Sequence, residues 1–174
     1  MTEVNTVNAT AAALLGLLHA GPMTGGQLVS SAGERYGTFF SVTRSQVYRE
    51  LPVLAEAGLL RLGSQGPRAS QQYVLTPAGR RAFKAWLNAV EGADQLRSPF
   101  ILRLLHAGSL TVRQRRALVA RGREDYTGRL ARAEEAAKYA DSSLSATPYA
   151  RAVAEFAVAH NRAVLTLLDT LSTD

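Results

Sequence analysis

The chain has 174 residues, 47% of them hydrophobic and 7% aromatic, with a formal net charge of +6 and a sequence pI of about 10.2. That length allows one or two small domains, whose cores must rest mainly on Leu, Ala and Val. The chain has no cysteine, which excludes disulfides, thiolate zinc sites and cysteine nucleophiles and fits a cytoplasmic protein.

Val7 to Ala20 is apolar and rich in Ala and Leu, and predicts a buried first helix ended by Gly21-Pro22. Thr24-Gly-Gly-Gln27 is a capping box: the Thr hydroxyl accepts from the third helical N–H and the Gln side chain reaches back. The second helix it opens should run to about Tyr36, with Gly37 as its C′ residue. Thr43-Arg-Ser-Gln46 repeats the pattern at the start of a third helix, whose Val47, Leu51 and Leu54 are spaced to face a core. Gly58 is its natural stop. Pro52 falls inside it, removes the hydrogen bond to the Tyr48 carbonyl and should kink it.

Leu59–Leu62 and Gln71–Leu75 read as two short strands around a turn segment, GSQGPRAS. Thr76-Pro77 opens a fourth helix, with Thr as N-cap and Pro at the first helical position, reaching about Val90. Glu91–Asp94 is a plausible break, so the expected division is 1–90 and 91–174. Beyond it the chain looks wholly helical: a short helix from Ser98-Pro99, a long one from Thr111 to about Ala140, and a last one from Thr147-Pro148. In the last helix Tyr149, Val153, Phe156, His160, Val164, Leu167 and Leu171 form an apolar stripe. No internal repeat appears beyond the recurring caps.

The order helix, helix, helix, hairpin is that of a winged helix-turn-helix. The expected fold is therefore mainly α: three helices plus a two-stranded wing, followed by a helical dimerisation domain. In such a fold the third helix enters the DNA major groove by its N-terminal turns. Those turns hold Thr43, Arg44, Ser45, Gln46, Tyr48 and Arg49. Arg reads guanine and Gln reads adenine, while Ser, Thr and Tyr suit phosphate oxygens. Glu50 should point away from the DNA backbone or read a cytosine. The wing adds Arg61, Arg68 and Ser70 and carries no acidic residue. Bulk charge adds little: residues 1–95 carry 8 basic and 6 acidic side chains (+2), and residues 96–174 carry 12 and 8 (+4). Local placement has to carry the case.

The segment ALLGLLHAGPMTGGQLVSSAGERYGTFFSVTRSQVYRELPVLAEAGLL, followed by QQYVLTPAGRRAFKAWL, resembles the PadR family of transcriptional regulators. Its LLGLL-x-x-GPM-x-G start, S-x-VY-x-x-L-x-x-L-x-x-x-GLL third helix and Y-x-LT-x-AG close carry the resemblance over roughly the first half. The second half resembles the helical C-terminal domain of that family's virulence-activator-like branch. The resemblance implies a homodimeric repressor of a palindromic operator, released by a small molecule. The family's third-helix tyrosine falls on Tyr48. Two departures stand out: Thr24-Gly25-Gly26 where many members have His-Gly-Tyr, and Arg49 where many have Pro.

Other chemistry finds little support. His19, His106 and His160 lie far apart, with no neighbouring ligand at metal spacing. No nucleophile elbow, phosphate loop or dinucleotide fingerprint occurs, so neither an enzyme nor a cofactor is expected. No run of about 18 apolar residues marks a membrane span, and the N-terminus lacks the basic start of a secretory signal. Arg113, Arg115, Arg116, Arg121 and Arg123 cluster early in the long helix, and a solvated face explains them better than DNA contact. If an effector pocket exists, Trp86, Phe100, Tyr126, Tyr149 and Phe156 are the aromatic residues available to line it. Two rival readings remain: a winged-helix module for protein assembly, and a small-molecule-binding protein whose DNA role is secondary.

Overall fold

Buried leucine on nearly every side of one short helix organises the first half of the chain. A computed structural model describes residues 7–65, 70–89, 97–142 and 147–171, in two compact units, Met1–Gly92 and Ala93–Asp174. The expected break at Glu91–Asp94 lies outside the described residues.

In the first unit, helix α1 (Ala9–Leu18) buries Ala11, Ala12, Leu14, Leu15, Leu17 and Leu18. A helix apolar all round belongs inside. Helices α2 (Gly25–Tyr36) and α3 (Arg44–Glu56) pack on it through Leu28, Ala32, Val47, Leu51 and Leu54. Both capping boxes predicted from sequence form: the Thr24 N–H donates to Gln27 Oε1 at 2.8 Å and the Thr43 N–H to Gln46 Oε1 at 2.8 Å. Gly37 departs from expectation. Its φ of −54° is right-handed, and α2 ends instead with the Phe39 and Phe40 N–H groups both donating to the Tyr36 carbonyl, at 2.9 and 2.8 Å. Helix α3 continues through Pro52 to Glu56, and Gly58 turns the chain with a left-handed φ of 69°.

The wing strands are β2 (Leu60–Gln65) and β3 (Gln71–Leu75), antiparallel, with Leu60 opposite Leu75 and Leu62 opposite Tyr73. A two-residue strand, β1 (Met23–Thr24), pairs with the far side of β3, giving the sheet order β1-β3-β2. Helix α4 (Pro77–Asn88) starts on Thr76, whose hydroxyl caps the Gly79 N–H at 3.0 Å and donates to the Gly58 and Leu59 carbonyls at 2.8 and 2.9 Å. Gly79 is required here: a Cβ would run into the Leu59 carbonyl oxygen and stand 2.7 Å from Leu75 Cδ1.

The second unit is helical: α5 (Pro99–Leu105), a 3₁₀ turn (Ala107–Ser109), α6 (Val112–Ser142) and α7 (Pro148–Thr170). Ser98, Thr111 and Thr147 hydroxyls accept from Ile101, Gln114 and Ala150 N–H groups, as the sequence predicts. Helices α6 and α7 run antiparallel, bridged by Arg123–Asp169 and Arg162–Glu134. Their shared core is Tyr126, Val164 and Leu168, joined by Phe100, Ile101, Leu104, Val119 and Leu165. The α7 face turned to α6 is Ala157, Asn161, Val164 and Leu168. The apolar stripe read from sequence thus points mostly elsewhere. Val164 is buried, but Tyr149 is 83% exposed, and Val153, Phe156, Leu167 and Leu171 are exposed too.

Candidate nucleic-acid interface

The buried residues of α3 are Val47, Glu50, Leu51 and Leu54, one face of a helix. Core packing therefore turns Arg44, Ser45, Tyr48 and Arg49 outward, and all four are exposed, as is the cap residue Thr43. That outward face rests on a firm support, because the helix beneath it is seated in the main core.

Each polar side chain on that face has a distinct state. The Arg44 guanidinium lies over the Tyr48 ring, 5.4 Å from its centroid, a cation–π contact. Tyr48 is 47% exposed, yet its ring edge is seated against Gly25, where a Cβ would stand 2.9 Å from Tyr48 Cε1. Gln46 is half-buried, and its amide oxygen accepts from both the Thr43 N–H and the Thr43 hydroxyl, at 2.8 and 2.9 Å. That oxygen is committed to the cap, so the two-point pairing with adenine expected of Gln46 would require the capping box to open. Ser45 Oγ lies 3.1 Å from Thr43 Oγ1.

Arg49 approaches Glu50 at 3.6 Å. Glu50 does not share that outward face and turns toward the core. It is 8% exposed and accepts from Asn8 Nδ2 at 3.3 Å. The signal was available, since Glu50 stands three residues after Val47 and next to Leu51 on the core face.

In the wing, Arg61 is exposed opposite Val74, and Ser70 is half-buried. Arg68 lies outside the described residues. The hairpin is stiffened by Ser64 Oγ donating to Gln72 Oε1 at 3.1 Å and Gln71 Nε2 donating to the Gly63 carbonyl at 3.0 Å.

The aromatic residues expected to line an effector pocket are divided between the two units. Trp86 belongs to the first unit, stacked on Phe83 with centroids 6.4 Å apart, and its indole N–H is buried with no acceptor among the described residues. Phe100 and Tyr126 pack on each other at 5.4 Å, and Phe100 covers Gly122, so both fill the second core. Phe156 and Tyr149 stand exposed on α7. Two surface depressions, one on α6 beside Arg116 and Arg123 and one between Glu134 and Arg162, include none of these aromatics. The early α6 arginines are partly spent on internal ties: Arg115 donates to the Leu110 carbonyl at 2.8 Å and Arg123 to the Leu168 carbonyl at 3.2 Å. Among the described residues no group of three potential metal ligands converges, and no helix is long and apolar enough to cross a membrane.

Residues 14–85 match the transcriptional regulator PadR-like family. Over 78 residues the chain is 36% identical to the negative transcriptional regulator PadR of Bacillus subtilis (strain 168), a match covering 43% of this chain and 43% of that protein. The sequence relationship thus spans less than half the length of the curated relative.

Structural likeness extends further along the chain. The crystal structure of smu.1604c from Streptococcus mutans matches with a TM-score of 0.81 at 18% identity, covering 93% of this chain and 96% of that one. B. subtilis PadR in complex with operator DNA matches at 0.69 and 23%, covering 91% and 93%. The same protein in complex with p-coumaric acid matches at 0.62 and 21%, covering 94% of each chain. The virulence activator AphA of Vibrio cholerae matches at 0.65 and 20%, covering 92% and 94%. At these identities the likeness carries the fold: a mainly helical chain with a winged-helix unit and a helical second unit.

Proposed function

We propose that this chain is a DNA-binding transcriptional repressor that acts as a homodimer on an inverted-repeat operator and is released by a small-molecule effector. The observation that carries the reading is the outward face of α3 within the PadR-like segment. Arg44, Ser45, Tyr48 and Arg49 stand exposed around a capped helix start, where phosphate is favoured by free N–H groups and the helix dipole. Arg61, Arg68 and Ser70 of the wing are proposed phosphate or minor-groove contacts. An assembly module would instead show apolar anchors at this turn, and Thr43, Arg44, Ser45 and Arg49 are polar or charged.

Dimerisation is supported by α7, a 23-residue helix that leaves Tyr149, Val153, Phe156 and Leu167 uncovered, with its C-cap Leu171 uncovered beside them. A two-fold dimer presents its α3 helices to two half-sites, which makes the operator an inverted repeat. For the effector, Trp86 keeps the best claim among the expected aromatics. Among the described residues its buried indole N–H has no acceptor, which a carboxylate or phenol would supply.

Footprinting on the DNA upstream of the chain's own gene tests the reading. The expected result is protection of an inverted repeat, with affinity falling by a log–log slope of about −0.9 per phosphate contact as salt rises. Uniform, sequence-independent protection, or binding indifferent to salt, would overturn it.

A further inference from the structure

The long polar side chains of the α3 reading turn are not equivalent. Gln46 has its amide oxygen held twice by Thr43, at 2.8 and 2.9 Å. Arg49 is drawn to within 3.6 Å of the buried Glu50 carboxylate. Only Arg44 keeps its guanidinium edge uncommitted: among the described residues its partner is the face of Tyr48, at 5.4 Å. A contact with a ring face is not a hydrogen bond, so it leaves the guanidinium N–H groups available to an acceptor. That availability is needed for a two-point bond to guanine O6 and N7.

Tyr48 is fixed in turn by the start of α2. Its ring edge approaches Gly25 so closely that a Cβ there would stand 2.9 Å from Cε1 and 3.0 Å from Cζ. Gly25 follows Thr24, the cap of α2, so the seat belongs to a hydrogen-bonded helix start. The support thus runs from the α2 cap through Gly25 and Tyr48 to Arg44.

We infer that Arg44 reads a guanine in each operator half-site, that Tyr48 seated on Gly25 is the positioning residue for it, and that Gln46 caps the helix without reading a base. This rests on the DNA-binding reading above and adds which base pair is discriminated and by what. It also explains why Gly25 has no side chain in a helical position where alanine would raise helix propensity.

The test is selection of bound duplexes from a randomised DNA library, followed by affinity measurement on the selected duplex. The wild-type chain is expected to enrich an inverted repeat with one dominant guanine per half-site. Replacing that guanine by 7-deazaguanine, which lacks N7, should weaken wild-type binding. A change of that base pair should cost about 5- to 150-fold, the range of one bidentate contact. Arg44→Lys keeps the charge, so it should retain the salt slope while losing the preference at that position alone. Tyr48→Phe should keep the preference, because the ring remains. Tyr48→Leu and Gly25→Ala should lower it while melting within a few degrees of wild type. Gln46→Ala should leave every base preference unchanged.

An unaltered preference in Arg44→Lys overturns the assignment of Arg44. Full preference in both Tyr48→Leu and Gly25→Ala overturns the positioning role. Loss of an A·T preference in Gln46→Ala overturns the cap-only role of Gln46. A wild-type chain that enriches no sequence refutes DNA recognition itself, a result distinct from all three.

Discussion

Gly79→Ala should destabilise the first unit although it replaces glycine by the best helix former. The gain is worth about 1 kcal/mol in a helix interior. Against it, the new methyl meets the Leu59 carbonyl oxygen, a backbone atom that cannot swing away, and stands 2.7 Å from Leu75 Cδ1. Overpacking of this kind costs about 1–3 kcal/mol. Relief requires α4 to back away from the wing base, which stretches the Thr76 hydroxyl bonds to Gly58 and Leu59 at 2.8 and 2.9 Å. The hydroxyl has one proton to share between the two carbonyls, so together they are worth about 0.5–1.5 kcal/mol net. The balance is a loss of about 2 kcal/mol, or a fall in melting temperature of about 8–16 °C for a unit of this size. Gly33→Ala supplies the control, since a Cβ at Gly33 meets nothing within 4 Å on the exposed side of α2. It should gain about 0.5–1 kcal/mol. Thermal and urea unfolding followed by circular dichroism measures both. A Gly79→Ala chain as stable as wild type would refute the close-approach argument, and two variants shifting alike would show that propensity alone decides.

The Tyr36 hydroxyl titrates above its ordinary 10.0 because burial disfavours the phenolate, an effect partly offset by the Arg35 charge. A raised folded-state value means that stability is complete below the unfolded value and is lost as pH rises through and beyond it. The urea midpoint of the wild type should therefore fall between about pH 9 and pH 11. Tyr36→Phe should flatten that fall at the cost of only a 3.4 Å bond to the Ala13 carbonyl. Equal alkaline loss in both chains would refute it. In the second unit, Asn161 is 1% exposed, donates to the Ala157 carbonyl at 2.7 Å, and leaves its Oδ1 buried without a donor among the described residues. Asn161→Leu removes that unsatisfied acceptor and should raise stability by about 1–3 kcal/mol. A less stable Asn161→Leu chain in urea unfolding would mean that the oxygen is satisfied.

Local rules were legible in the sequence wherever the partners lie within a few residues. Thr24 with Gln27, Thr43 with Gln46, and Thr76 with Pro77 mark helix starts because each cap closes over three positions. Strand β1 was not legible, since Met23 and Thr24 become a strand only by pairing with Tyr73 and Gln72, far along the chain. The α7 stripe was legible as apolar, but not which α7 residues pack on α6. Periodicity reports a face but not what faces it, and the packed face proved to be Ala157, Asn161, Val164 and Leu168. Gln46 shows the same limit at the candidate site. Its residue type permits adenine reading, but only coordinates show its oxygen occupied by Thr43.

Glu50 shows how the outward face of α3 is aimed. A carboxylate on the core side of α3 is costly unless hydrogen-bonded, and here Asn8 supplies the donor. Asn8 also caps α1, its Oδ1 accepting from the Ala11 N–H at 2.9 Å while its Nδ2 turns to Glu50. One side chain therefore links the start of the central helix to the middle of α3. Helical rotation is about 100° per residue, so slipping α3 by one position would expose Val47 and Leu51 and withdraw Glu50 from its only donor among the described residues. Apolar burial at Val47, Leu51 and Leu54 resists that slip without specifying direction. The Asn8–Glu50 bond is directional and selects one rotation. In that rotation Arg44, Ser45, Tyr48 and Arg49 all face outward, so a buried acid sets which side chains the helix presents.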